Sequence, residues 1–159
     1  MRLSVRAIGR LKSSPEQALA LDYLSRAEKL GRRAGIRSVA LTEIAESRAG
    51  TPLLRQRDET DRLLAALPAG AVVIALDERG DAMTSLEFSA ELRRLLDGGS
   101  RDLVFLIGGA DGHAPELGGS ARLLSLGRMT WPHALVRLML AEQIYRSVTI
   151  LINHPYHRA

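Results

Sequence analysis

A chain of 159 residues without cysteine suits one domain with a core of its own and excludes disulfides, thiolate metal ligands and thiol nucleophiles. Its formal charge of +4 comes almost wholly from arginine, with lysine only at Lys12 and Lys29; guanidinium forks suit phosphate, whereas the scarcity of aromatic residues argues against a base-stacking platform. No run approaches the roughly 18 apolar residues of a membrane span, and Arg2, Arg6 and Arg10 break the apolar pattern of a signal peptide, so a cytoplasmic protein with no membrane attachment is expected.

In chain order, RLSVRAIG reads as a strand. SPEQALALDYLSRAEKLGRRAG follows as a helix, with Ala20, Leu24, Ala27, Leu30 and Ala34 three and four apart, Ser14 placed to cap it and Gly35 to stop it. IRSVALTEI is a second strand. LLRQRDETDRLLAAL is a charged amphipathic helix expected to carry Leu53, Thr60, Leu64 and Leu67 on one side. AVVIALD is a buried strand, SLEFSAELRRLL a helix and RDLVFLIGG another buried strand. This alternation predicts an α/β fold with a mostly parallel sheet and helices on both faces.

After Gly109 the rhythm changes. ADGHAPELGGSARLLSLGRMTW is glycine-rich and weakly periodic, and PHALVRLMLAEQIYRSV then reads as a helix with Pro132 in its opening turn. Between Ala134 and Ala141 only Arg137 interrupts its apolar surface, as expected of a helix buried on more than one side, against the core and a subunit interface. The apolar run Ser147 to Ile152 is expected as a terminal strand leading into NHPYHRA. No repeat or long linker divides the chain, so residues 1–159 form a single domain.

The motifs are individually weak. LIGGADGH follows a strand but is neither G-x-G-x-x-G nor a Walker A sequence; its glycines let a ligand approach backbone closely at the sheet edge, and they equally make a tight turn. In LDERGDAMTS a solvated turn accounts for Asp77, Glu78, Arg79 and Asp81 as well as a site does. His133 and Arg137, four apart, share a helix face. His154 and His157 without carboxylates or thiolates nearby make a poor metal site, and no G-x-S-x-G elbow marks a hydrolase.

Together, LDERGDAMTS, FLIGGADG, LSLGRMTWPHALVRLMLAEQIYR and NHPYHR stand in the order and spacing of one family. The chain resembles the ribosomal large subunit methyltransferase H family of the SPOUT class from end to end, most closely from Leu76 onward. The resemblance implies a deep C-terminal trefoil knot, with knot and cofactor site within about residues 72–159. It also implies a homodimer, S-adenosyl-L-methionine as methyl donor, and N3-methylation of a pseudouridine of 23S rRNA in the assembled ribosome.

By that resemblance Leu76, Gly108 and Gly109 line the cofactor pocket, and Leu126, Gly127, Arg128, Met129, Thr130 and Trp131 form the loop that closes over it. A side chain larger than hydrogen at Gly109 is expected to obstruct the pocket. The chain departs from the family at His113, where an apolar residue is usual, and in its added glycines Gly118 and Gly119. Catalytic candidates are His133, Tyr156 and His157 for handling the N3 proton, and Arg137 and Arg158 for phosphate or the ionised base. The terminal residues are expected beside the partner's cofactor loop, each site being made from two chains. Two other functions are weighed: a non-catalytic ribosome- or RNA-binding dimer, and methylation of tRNA or another rRNA position.

Overall fold

In a computed structural model that describes residues 1–157, the β-branched runs form β1 (Arg2–Ile8), β2 (Ser38–Ile44), β3 (Val72–Ala82) and β4 (Asp102–Ile107), and the glycine-rich stretch supplies a short β5 (Arg122–Ser125). All pairings are parallel, in the order β2-β1-β4-β3-β5. Central β4 is buried at every residue, which explains its unbroken apolar run.

Alternation along the strands sends side chains to two cores. Leu3, Val5, Ala7, Leu103, Phe105 and Ile107 cluster with residues of α1 (Pro15–Gly31), α3 (Ser85–Asp97) and α4 (His133–Leu151). Ile8, Ala75, Val104 and Leu106 face the other way and meet Leu63 of α2 (Pro52–Leu64) and Leu117 of a 3-10 turn (Pro115–Gly119). Helices therefore cover both faces, as the alternation predicts. Ser14 caps α1 by accepting the N–H of Gln17 at 3.1 Å, and Gly35 ends the 3-10 turn that follows α1 with φ +91°. No helix among the described residues is long and apolar enough to cross a membrane.

Three elements differ from their expected form. On α2 Glu59, Thr60 and Leu63 are buried, and Leu64 and, beyond the helix end, Leu67 pack on the second core, but Leu53 is 44% exposed. The first half of that helix overhangs the sheet and packs polar side chains on a loop instead. The run from Ser147 to Leu151 is the last part of α4, not a strand: burial of Ser147, Val148 and Thr149 overrides the β preference of its branched side chains. Asn153, with φ 54°, then turns the chain, and the N–H of His154 closes on the Thr149 carbonyl at 2.8 Å.

Finally, β3 runs past its expected end and pairs with β5 twice, Leu76 and Asp81 both opposite Leu124. Residues 77–80 leave the ladder between these points. Gly80 then passes so close to β5 that a Cβ there would stand 2.5 Å from the Leu123 carbonyl carbon.

Candidate functional site

In a parallel sheet all the C-terminal strand ends lie along one edge, and loops leaving them can converge on a ligand. Here the irregular stretch within β3 and the loops after β4 and β5 border a cleft of about 820 Å³, within the range of small-molecule sites. Leu76 through Arg79 form one wall, residues 107–113 a second, and the segment from Leu124 to Val136 the third.

Leu76, Gly108, Gly109, Leu126, Gly127, Met129, Thr130 and Trp131 all border this cleft, and so does His133. Arg128, in the same loop, is exposed and is not part of the lining. The loop turns at Gly127, whose φ of +117° favours glycine; Ser125 Oγ accepts the N–H of Gly127 at 3.2 Å and donates to its carbonyl at 3.0 Å. Beyond it Met129 is 70% exposed and Trp131 38%, an apolar flap uncovered within the single chain.

The paired glycines border the cleft, but the space a side chain would take there lies behind its wall. A Cβ on Gly109 would point away from the opening, 2.6 Å from Glu59 Oε2 and 3.0 Å from Ile8 Cγ2, and one on Gly108 would meet Gly112 C at 3.0 Å and His113 Cε1 at 3.3 Å. A side chain at Gly109 would therefore collide with the packing behind the wall rather than plug the cleft. Four residues of α2 hold this turn. Arg55 Nε donates to Asp111 Oδ2 at 2.7 Å, Gln56 donates to the Asp111 carbonyl, Thr60 Oγ1 accepts the N–H of Ala114 at 3.0 Å, and Glu59 lies behind Gly109.

Asp77 and His113 stand in segments that the sequence marks, but their partners and burial do not show there. Asp77 takes hydrogen bonds from Arg79 Nε at 2.8 Å, Nη2 at 2.7 Å and the backbone N–H at 2.9 Å; the hydrogen-bonded guanidinium holds its carboxyl below the ordinary range. His113 is 4% exposed and neither ring nitrogen has a hydrogen-bond partner among the described residues. Burial lowers its pKa, partly opposed by Asp77, so this imidazole is neutral at pH 7. Its only signal in sequence is the departure from the family's apolar residue.

The remaining catalytic candidates lie elsewhere. Arg137 is buried and borders no part of the cleft: its Nη1 donates to Glu43 Oε1 at 2.6 Å, and its Nη2 to the carbonyls of Ile8 and Gly9. It ties α4 to the end of β1, and both terminal nitrogens are engaged. Tyr156 packs edge-on against Tyr145 with centroids 4.7 Å apart, and its hydroxyl donates to Glu142 Oε1 at 3.1 Å. Burial, then hydrogen bonding to Tyr23 and Glu142, raises its pKa, which makes it a poor proton acceptor. His157 Nδ1 stands 3.5 Å from Arg146 Nη1. Tyr156 lies against its own chain's α1 and α4 and His157 against α4, both outside their own chain's cleft. Arg158 lies outside the described residues.

One feature of the cleft suits a cationic ligand: Glu78 adds a carboxylate to the wall in which Asp77 is already paired with Arg79. His113 borders the same cleft, with both ring nitrogens buried.

The chain matches the family described as Predicted SPOUT methyltransferase over residues 1–157. It is 51% identical over 160 aligned positions, with full coverage of both chains, to the ribosomal RNA large subunit methyltransferase H of Mesorhizobium japonicum. With the same coverage it is 50% identical to the protein of that name from Sinorhizobium fredii and 49% to that from Rhodopseudomonas palustris. Likeness of this extent leaves no segment of the fold unaccounted for, and the chain belongs to the ribosomal RNA large subunit methyltransferase H family of SPOUT methyltransferases.

Proposed function

We propose that this protein methylates large-subunit ribosomal RNA, taking the methyl group from S-adenosyl-L-methionine and delivering it to N3 of a pseudouridine in the assembled ribosome of the cytoplasm. The observation that carries the reading is the convergence of three of the family's four motif segments on one cleft, in a chain about half identical to named ribosomal RNA methyltransferases. When bound, the donor supplies a methyl group made electrophilic by the adjoining sulfonium.

The chain's residues hold and shield the reactants. Leu76 and the 108–109 turn line the nucleoside end, Glu78 offsets positive charge beside the Asp77–Arg79 pair, and the segment from Leu126 to Trp131 folds over to exclude water. Orienting the two reactants and removing water from between them supply much of the acceleration. His133, at the first turn of α4 and on the cleft lining, is the imidazole available to accept the N3 proton. Arg137 keeps the start of α4, and with it His133, fixed to the end of β1.

The working form is a homodimer. A second apolar groove of about 510 Å³ runs between α1, α4 and the loop after β5, with Leu19, Met83, Leu138 and Met139 on its walls, and Leu19, Leu21 and Leu86 are exposed beside it. A partner on that face covers the flap and brings its Tyr156 and His157 to the cleft. The double pairing of β3 with β5 and the close passage of Gly80 support a knotted path in the C-terminal half.

The test is incubation of ribosomes with labelled S-adenosyl-L-methionine and this protein, followed by mapping of the modified nucleotide. Label at N3 of one large-subunit pseudouridine is expected. Label only in tRNA or at another rRNA position would replace the substrate, and binding to ribosomes without any transfer would leave a non-catalytic RNA-binding dimer.

A further inference from the structure

Glu59 is a buried carboxylate beside which the fold places no hydrogen-bonded cation. It is 4% exposed; its Oε1 accepts the backbone N–H of Ser47 at 2.8 Å, and its Oε2 has no hydrogen-bond partner among the described residues. Burying a carboxylate with an oxygen unsatisfied opposes folding, so the position is hard to explain by stability alone. The free oxygen abuts the wall of the cleft, 2.6 Å from where a Cβ of Gly109 would be.

The surroundings make this contact part of a brace. Arg55, Gln56, Glu59 and Thr60 recur at the spacing that puts side chains on one side of a helix, and the other three bind Asp111 and Ala114. Arg55 and Gln56 thus fix one point of the turn, and Thr60 its exit into the 3-10 segment. Of the four, Glu59 alone reaches Gly109 at its entrance. It also joins that entrance to the loop before α2, because Ser47, besides donating its N–H to Glu59, donates its hydroxyl to Asp58. Glu59 does not border the cleft, so it touches no reactant and any effect on ligand passes through backbone.

We infer that Glu59 is a positioning residue of the cleft, its carboxylate standing behind Gly109 and fastened to Ser47 so that the Gly108–Gly109 backbone presents its polar groups to the nucleoside part of the donor at a fixed place. The inference rests on the proposed use of S-adenosyl-L-methionine. It makes α2, which lies on the opposite face of the sheet from α4, part of the binding site.

The experiment compares the full-length protein with E59Q, E59D and E59L. S-adenosyl-L-methionine and S-adenosyl-L-homocysteine binding is measured by calorimetry, and amide hydrogen exchange is followed over residues 108–114. E59Q keeps length and an oxygen that accepts the Ser47 N–H, so it should bind within about twofold of wild type, whereas E59D and E59L should weaken binding about tenfold or more, the scale on which small misplacements act. Exchange across 108–112 should quicken in E59D and E59L and stay unchanged in E59Q, with circular dichroism the same throughout. If E59L does not fold, E59D against E59Q decides.

Wild-type affinity in folded E59D or E59L would overturn the inference. So would an E59Q that binds as poorly as they do, because charge rather than contact would then matter. A wild-type protein that binds neither ligand would remove the functional reading; quickened exchange confined to E59D and E59L would then support the brace, and its absence would overturn it.

Discussion

Gly80 has no left-handed torsion to explain it, yet a Cβ there would stand 2.5 Å from both Leu123 C and Leu124 N, and backbone cannot yield as a side-chain tip can. Gly80→Ala should therefore cost about 3 kcal/mol or more, at or beyond the upper end of overpacking penalties, seen as a lower urea midpoint at unchanged slope. An unaltered midpoint would mean that β3 and β5 part easily at this crossing. Nothing in LDERGD announces the crossing, because the constraint comes from another strand and leaves no local pattern. The setting of Arg137 is hidden in sequence for a related reason. Sequence shows a charge four residues from a histidine, but not that two carbonyls at the end of β1 and Glu43 surround it. Arg137→Met should destabilise by about 3–5 kcal/mol, because it strands a partly buried carboxylate and two carbonyls. Retained thermal stability with methylation lost would return Arg137 to the reaction itself.

At the scale of elements, legibility followed length and period. Strands β1 to β4 and the four helices showed in sequence because each repeats its pattern long enough to be read. β5, only four residues long at the edge of the sheet, repeats nothing. The alternation also supports a parallel sheet and so puts the glycine turn after β4 at its C-terminal edge, whereas the walls from β3 and from the segment after β5 are marked in sequence only by the resemblance. The inward face of α2 was legible in part: Thr60 is buried and Leu53 is not, since the first half of that helix packs on a loop rather than on the sheet. The difference is measurable within one helix. Leu63→Ala empties a fully buried site and should cost about 2–5 kcal/mol, whereas Leu53→Ala, at an exposed site, should stay within about 0.5 kcal/mol. Equal losses in urea denaturation would show that the overhanging half of α2 is covered in solution.

At the scale of the whole molecule, the terminal segment and the cleft are separated within one chain: Tyr156 packs on Tyr145 near the far end of α4, while His133 at the helix start borders the cleft. A tail needed for catalysis must then act on the partner's cleft, which the proposed dimer through α1 and α4 allows. Deleting Tyr156 to Ala159 should abolish methylation and leave S-adenosyl-L-methionine binding largely intact, because the cofactor candidates all precede α4. The second variant must block the cleft without disturbing the wall, which rules out Gly109; Ala110→Trp, at an exposed lining position, adds a ring there, with loss of cofactor binding verified by calorimetry. Each homodimer should be inactive. In a mixed dimer, however, the intact tail of the Ala110→Trp chain would serve the open cleft of the truncated chain, restoring one working site and up to half of wild-type activity per dimer. A tail that served its own chain would leave both sites of the mixed dimer dead, and full activity in the truncated homodimer would reduce the tail's role to fastening the end of α4.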